Sequence, residues 1–168
     1  MKINIKRYLP AGMEQKLFLQ FFLGGWIGSF AYHFFSYYVR LADAKERLFW
    51  KNGAVRTIRE GAVMPDYAEL ASDTFMAFGV MMITMLGFIL YNYIYHRQGS
   101  RSIYLMRRLP DRLELHRRCV TAPVAAIGIY LVSAFILLMI SFGIYLLITP
   151  AECLTPDQWM KIWNGIFR

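Results

Sequence analysis

The stretch from His96 to Cys119 reads HRQGSRSIYLMRRLPDRLELHRRC and lies between two long apolar runs. It holds seven arginines, at positions 97, 101, 107, 108, 112, 117 and 118, and two acids, Asp111 and Glu114. Its side chains therefore carry a net charge of +5, whereas the whole chain carries +8. A dense run of arginines between apolar segments is typical of a cytoplasmic loop of a membrane protein.

The composition points to the same class. Of the 168 residues, 57% are hydrophobic and 18% are charged, whereas soluble domains have about 45–50% apolar and about 25% charged residues. The length suits a single domain. The basic character is also common in nucleic-acid-binding proteins, but no nucleic-acid-binding motif accompanies the charge, so we expect no nucleic-acid partner.

Three uncharged segments are long enough to cross a bilayer, which takes about 20 residues. They are residues 17–39, 74–95 and 119–149. The predicted fold class is therefore all-α, an integral membrane protein with three transmembrane helices. The third run is longer than one perpendicular crossing requires, so we expect tilt or an interfacial beginning. A signal peptide is the alternative for the first run, which is too long and too aromatic for that role.

The other segments complete a single membrane domain. They are the N-terminal segment 1–16, the segment 40–73, the basic loop 96–118 and the tail 150–168. Segment 40–73 has six basic and six acidic residues, and Asp43 to Trp50 is expected to extend the first span as a helix. The rest contains too few apolar residues for its own core, so we expect it to fold against the membrane or a partner.

The tail predicts a short C-terminal interfacial helix. Thr155 suits a helix cap, Pro156 suits the first helical position, and Gln158 completes a capping box. Apolar residues then recur at helical spacing from Trp159 onward, which is typical of an amphipathic helix that lies in the membrane surface. Docking onto a partner is the alternative.

The distribution of charge predicts the orientation. The N-terminal segment and the basic loop together hold eleven Lys and Arg residues, with net side-chain charges of +3 and +5. Segment 40–73 and the tail hold eight, and each has a net charge of zero. Because positive residues concentrate on the cytoplasmic side, we expect a multi-pass protein of the cell membrane with a cytoplasmic N-terminus, and with segment 40–73 and the tail outside.

Small residues in the first run predict close helix packing. Gly24-x-x-x-Gly28 and Gly25-x-x-x-Ser29 form two adjoining strips, along which another helix backbone can approach closely. Chance occurrence is the alternative, because glycine is common in membrane helices. His33 is the ionisable group of this run besides its tyrosines, and we expect a neutral imidazole bonded to a neighbouring helix.

The sequence contains no convincing catalytic set, metal site or cofactor motif. There is no Walker motif, HExxH or GxSxG. His96 and His116 stand beside arginines, so we expect them to be solvated or to face lipid headgroups. Cys119 lies at the predicted membrane boundary, where it is either lipidated or buried. Cys153 lies at the other end of the same span, which excludes a disulfide between the two within one chain.

The basic loop has its own internal pattern. Gly99-Ser100 predicts a turn and a helix cap, and Pro110 predicts a corner before the third span. Between them the pattern predicts an amphipathic helix over residues 100–109. Its apolar stripe continues to Leu113 and comprises Ile103, Met106 and Leu109, with Leu105 beside it. A membrane-surface helix held by anionic lipid is one interpretation of this pattern, at about 1 kcal/mol per arginine.

This part of the chain resembles the ABC-2 type (type V) permeases of ABC transporters. The resemblance rests on His96-Arg97, Gly99-Ser100, the helix from Ile103 to Leu109, Pro110 and Arg112. It covers about residues 90–125 by motif, and the rest of the chain by the order of its segments. Such permeases usually have about six spans rather than three, and an acidic residue where this chain has Gln98.

The resemblance implies a coupling helix that binds a separate ABC ATPase subunit. Ile103, Leu105, Met106 and Leu109 would then face the ATPase, and Arg101, Arg107 and Arg108 would supply a charged rim. A chain with three spans would be a half-size or accessory subunit that needs a second membrane subunit or a homo-oligomer. The alternative is a non-transport adaptor or sensor that binds a partner through segment 40–73.

Overall fold

The computed structural model describes residues 15–52, 55–59, 61–98 and 114–166, and long helices dominate them. The long helices are α1 (Gln15–Leu48), α3 (Met76–Gln98) and α4 (Glu114–Ile148). The short elements are α2 (Tyr67–Ala71), a 3-10 turn (Ala151–Cys153) and α5 (Gln158–Ile166). The prediction of a helical protein is confirmed.

A two-stranded hairpin is the exception to the all-α prediction. Strand β1 (Phe49–Asn52) pairs antiparallel with β2 (Val55–Ile58), with Phe49 opposite Ile58 and Asn52 opposite Val55. The amide of Arg59 then donates to the carbonyl of Leu48 at 2.9 Å, so the hairpin returns to the end of α1. Three of the four residues of β2 are β-branched, which favours a strand.

Two helices in the described part of the chain are long and apolar enough to cross a membrane, Met76–Ile94 and His116–Ile148. Within an apolar stretch of 18 residues, only 17% of the first helix and 22% of the second are buried. A core helix of a soluble protein would be mostly buried, so these helices indicate a membrane protein. They coincide with the second and third predicted spans.

Helix α1 contains the first predicted span, residues 17–39, but is not one of those two helices. Gln20, the paired Gly24 and Gly25, and His33 make this segment less apolar than the others. The helix has 34 residues, about 51 Å at 1.5 Å per residue. It continues past the predicted span as expected, but it ends at Leu48 rather than at Trp50, because Phe49 and Trp50 belong to strand β1.

The chain forms two compact units, and the first comprises residues 15–29, 78–98 and 114–133 of the described chain. Its centre is Tyr130, which is fully buried. The Tyr130 hydroxyl donates to the carbonyl of Phe22 at 3.0 Å, and its ring meets the rings of Phe22 and Phe78 edge-on. Trp26 adds an indole hydrogen bond to the hydroxyl of Ser133 at 3.0 Å.

The two predicted glycine strips of α1 have different surroundings. A Cβ atom on Gly25 would lie 2.0 Å from Met81 Cε and 3.0 Å from the Tyr130 hydroxyl, so the side chain of Met81 would have to shift to admit a larger residue there. Ser29 is buried and donates to the carbonyl of Gly25 at 2.8 Å. Gly24 and Gly28 have nothing within 4 Å of an added Cβ. The Gly25–Ser29 strip therefore faces the inside of the unit, and the Gly24–Gly28 strip is open.

The second unit comprises residues 30–77 and 134–166 of the described chain. Its core joins the end of α1, helix α2, the end of α4 and the tail. The buried members are Tyr37, Leu41, Ala44, Leu48, Met64, Tyr67, Leu70, Ala71, Tyr145, Cys153 and Ile162. Each large apolar side chain buried in this way stabilises the unit by about 1.5–3 kcal/mol. Segment 40–73 therefore folds against the chain's own tail and helices.

Replacing Gly25 by valine should destabilise the first unit, whereas replacing Gly24 should not. The branched side chain on Gly25 would displace Met81 and Tyr130, and such overpacking costs about 1–3 kcal/mol. Gly24→Val meets open space, so we expect a change within about 0.5 kcal/mol. Thermal unfolding in detergent measures both. Equal destabilisation by the two variants would show that the open strip also packs against a helix.

Candidate functional site

The residues predicted to bind a partner lie outside the described chain. These are Arg101, Ile103, Leu105, Met106, Arg107, Arg108 and Leu109, within residues 99–113. The structure does describe both helices that frame this loop. Helix α3 ends at Gln98 and α4 begins at Glu114, so the charged stem predicted for residues 111–118 is helical from Glu114 onward.

A side-chain contact joins the two framing helices close to the loop. The hydroxyl of Tyr93, on the last turns of α3, is hydrogen-bonded to Nδ1 of His116, on the first turn of α4. The two ring centroids are 5.6 Å apart. His116 is exposed, as expected for a solvated residue, but the prediction missed its bond to α3. We call this contact between Tyr93 and His116 the neck.

Buried side chains flank the neck on both helices. Asn92 precedes Tyr93 and is 3% exposed, and Cys119, one turn after His116, is fully buried. The cysteine is therefore in the buried state that was the alternative to lipidation, and it is a free thiol. The Thr121 hydroxyl donates to the carbonyl of Arg117 at 2.5 Å. The first turns of α4 are thus an ordered helix that packs on its neighbours.

His33 is enclosed in the second unit. It is 1% exposed, and its imidazole interacts with the backbone of Thr74, in the turn between α2 and α3. Its ring lies 4.5 Å from that of Phe75 and stacks on Tyr37 at 5.9 Å. Nδ1 has no hydrogen-bond partner. The imidazole is thus bonded to this turn rather than to a neighbouring helix, and its neutral state stays a prediction.

The most connected polar group of the second unit is the carboxylate of Asp66, directly before α2. Its Oδ1 accepts hydrogen bonds from Thr155 Oγ1 at 2.6 Å, Lys161 Nζ at 2.9 Å and Gln158 Nε2 at 3.0 Å. The hydrogen bond from Thr155 is the largest effect and lowers the pKa of Asp66, and burial, the second largest, opposes it. The hydrogen bonds from Lys161 and Gln158 and the charge of Lys161 lower the pKa further. We call this group of four residues the tail lock.

Backbone contacts reinforce the tail lock. The amide of Tyr67 donates to Gln158 Oε1 at 3.0 Å, and the amide of Met64 donates to the carbonyl of Cys153 at 3.0 Å. On α5, Ile162 is buried, while Trp159 and Trp163 are 42% and 41% exposed. The predicted amphipathic tail helix is present, and its buried face packs on this chain's own α2.

The predicted start of the tail helix is wrong by two residues. Helix α5 begins at Gln158 rather than at Pro156, and Asp157 before it has a positive φ of 58°. The Thr155 hydroxyl donates to Asp66 and accepts hydrogen bonds from Gln158 Nε2 and Lys161 Nζ, and these side chains occupy the oxygen that would have capped the helix. The side chain of Gln158 meanwhile bonds to Asp66, Thr155 and the amide of Tyr67. The capping-box residues therefore hold the tail to a distant segment.

These groups form contacts between helices and loops. Within the described ranges, no three His, Cys, Asp or Glu side chains gather as a metal site would require. The second ion pair in that part of the chain, Arg40 with Asp73 at 2.6 Å, lies on the surface. The neck and the tail lock instead join segments that are far apart in sequence. Sequence reasoning missed both, because single aromatic, acidic and amide residues near helix ends carry no recognisable motif.

Comparison with models of known protein families, with curated proteins and with solved structures finds no match.

The tail lock should weaken in acid. Because the folded-state pKa of Asp66 is lowered, its stabilisation is complete above 3.8, the ordinary value, and is lost as the pH falls through the folded-state pKa. Asp66→Asn should lower the unfolding free energy at neutral pH by about 1 kcal/mol, since the carboxylate is partly exposed. The difference from the wild type should vanish in acid. Thermal unfolding over a pH series measures this.

Glu152→Gln is the matched control, because Glu152 is exposed and stands beside the same 3-10 turn. It should leave the unfolding temperature unchanged at neutral pH. If the wild type still exceeded Asp66→Asn by the same unfolding free energy in acid, that result would contradict the role given to the carboxylate.

Proposed function

We propose that this chain is a transmembrane subunit of an ATP-driven ABC exporter, and that residues 100–109 couple it to a separate ATPase subunit. The observation that carries the proposal is an apolar stripe inside a basic loop whose two framing helices are joined at the neck. A loop that only set the orientation would need the arginines, but it would have no use for the stripe. An exposed apolar stripe is typical of a surface that binds another protein.

The proposed interface has apolar anchors and a charged rim. Ile103, Leu105 and Met106 are the anchors, and Leu109 continues the stripe. Arg101, Arg107 and Arg108 form the rim, where charges contribute more to the rate and specificity of association than to affinity. The same arginines attract anionic lipid headgroups, which would hold the loop at the membrane surface in the absence of the ATPase.

We propose three spans, with α1 as the first. Support comes from the apolar surface that α1 exposes, since Ile27 is 62% exposed and Phe35 is 74% exposed. Soluble monomers seldom expose such contiguous apolar surface, and lipid would cover it. With the positive residues on the cytoplasmic side, the N-terminus and the basic loop are cytoplasmic, and segment 40–73 and the tail are outside the cell membrane.

In this function the chain transmits movement and does not hydrolyse ATP. Closure of the ATPase subunits would displace the loop, and the displacement would pass into α3 and α4. Rigid-body movement of helices is a common form of switching in transporters. Three helices alone are too few to enclose a path for a solute, so the working transporter would contain a second membrane subunit or a second copy.

The orientation predicts which engineered cysteines are accessible from outside intact cells. Glu69 is an exposed residue of α2, so Glu69→Cys should react with a membrane-impermeant maleimide. Arg107→Cys should react only after the membrane is permeabilised. The natural Cys119 and Cys153 are buried and give a low background. Labelling of Arg107→Cys in intact cells would reverse the proposed orientation.

The coupling role predicts that Leu105→Asp abolishes copurification with an ATPase. A carboxylate placed among buried apolar anchors would be desolvated without a partner, which costs several kcal/mol. Tyr104→Asp adds the same charge on the opposite side of the predicted helix and should retain most of the binding. Mass spectrometry of proteins purified from native membranes measures both. Unchanged recovery of the ATPase with Leu105→Asp would refute the proposed function.

A non-transport adaptor or sensor is the second candidate. The observation in its favour is that segment 40–73 and the tail form a packed unit with the exposed charges of Asp43, Glu46 and Glu69, rather than a simple link. For an adaptor, Glu46→Lys with Glu69→Lys should remove the main copurifying protein. For the exporter, the same variant should leave recovery of the ATPase unchanged.

A further inference from the structure

Two side-chain contacts between described residues join helices α3 and α4 in the first unit. One is the neck, and the other is the edge-on contact of the rings of Phe78 and Tyr130, whose centroids are 6.2 Å apart. Along α3 the two contacts are 15 residues apart, and along α4 they are 14 apart. At 1.5 Å per residue these separations are about 22 and 21 Å. Equal separations mean that the helices run side by side, antiparallel, without diverging.

The two contacts lie on either side of the proline of α4. Pro123 is within the helix and is buried. A proline in a helix interior removes one backbone hydrogen bond and is a common place for a helix to bend. His116 precedes this weak point and Tyr130 follows it. Helix α3 has no proline. Because the two contacts join it to α4 before and after Pro123, α3 supports α4 across this weak point.

Helix α1 contacts α3 on the part of α3 that lies before the neck. Phe18 and Phe21 meet the ring of Phe88 at 6.2 and 5.3 Å, and the Gly25 backbone lies against Met81. In the described residues, these contacts reach α3 no nearer to its end than Phe88. The neck adds a hydrogen bond between the last ten residues of α3 and the first turns of α4, beyond the reach of these α1 contacts.

We propose that Tyr93 and His116 are positioning residues that make α3 and α4 move as one lever when the basic loop is displaced. The neck stands where a displacement of residues 99–113 would enter both helices. With the neck intact, the displacement passes through Pro123 without bending α4. Without it, α4 can bend at Pro123 and absorb the displacement. This consequence rests on the proposed exporter function, whereas the alignment of the helices does not.

Two substitutions separate the hydrogen bond from the packing of the rings. Tyr93→Phe keeps the ring and removes only the hydroxyl. His116→Gln keeps an oxygen that accepts a hydrogen bond from Tyr93, so it should act like the wild type, whereas His116→Ala should act like Tyr93→Phe. If the hydrogen bond between Tyr93 and His116 is responsible, the double variant Tyr93→Phe with His116→Ala should show the same loss of coupling as either single variant. Tyr32→Phe, which removes a half-exposed hydroxyl from α1, is the control.

The first test measures the alignment without reference to function. Tyr93→Cys with His116→Cys, in a chain with Cys119→Ala and Cys153→Ala, should be joined by a short bifunctional thiol reagent in native membranes. Tyr91→Cys with His116→Cys is the matched pair and should not be joined, because Tyr91 points to another side of α3 and is 59% exposed. Equal yields from the two pairs would overturn the proposed neck.

The second test measures coupling in the purified complex with its ATPase. A non-hydrolysable ATP analogue should change the maleimide labelling rate of Glu69→Cys. Tyr93→Phe should reduce this nucleotide effect about fivefold, in the range known for residues that modulate coupling between sites. The rate without nucleotide and the unfolding temperature should be unchanged. His116→Gln should retain the effect. A full nucleotide effect in Tyr93→Phe would overturn the lever.

The two tests fail in different ways. If no ATPase copurifies with the wild-type chain, the exporter function falls, and the lever with it, while selective joining of positions 93 and 116 still establishes the neck. If the ATPase copurifies but Tyr93→Phe has no effect on coupling, the exporter function stands and the lever is wrong.

Discussion

Tyr67 is the residue on which the second unit depends, because its polar atoms and its ring bind in different directions. Its amide donates to the tail at Gln158, and its hydroxyl lies 2.7 Å from Ser141 Oγ on α4. Its ring meets those of Tyr37 on α1 and Tyr145 on α4 at 6.3 and 5.7 Å. A buried phenol without hydrogen bonds would be costly, so α2 cannot shift along α4 without losing several interactions together. The tail lock, at the neighbouring Asp66, reinforces this position.

The sequence predicted well what depends on local pattern. The helical class and two spans follow from uncharged runs of sufficient length, since a helix satisfies its own backbone hydrogen bonds. The extension of α1 beyond its span and the amphipathic tail follow from periodicity in the same way. The exact role of Thr155 and Gln158 did not follow, because Asp66 lies 89 residues from Thr155. A long-range partner took the side chains that the local pattern assigned to a helix cap.

The glycine strips show a second limit of sequence reasoning. Each strip consists of two small residues four positions apart, so the sequence pattern cannot distinguish the two strips. The structure places Gly25 and Ser29 against other helices and leaves Gly24 and Gly28 open. A rotation of α1 by one residue, about 100°, would reverse that assignment. What decides it is the fit of Met81 and Tyr130 against Gly25, which depends on two other helices. The neck was missed for the same reason.

The two units also differ in what holds their helices together. In the second unit, hydrogen bonds from the buried side chains of Tyr37, Tyr67 and Tyr145 to other segments accompany the apolar core. In the first unit, the polar contacts between helices include those of Trp26, Tyr130 and the neck. Apolar packing gives little preference for one arrangement among lipid tails, since lipid is as apolar as the side chains. Polar contacts of this kind therefore help to determine the alignment of these helices. A bundle of that kind can rearrange at small cost, and a contact such as the neck decides which helices move together.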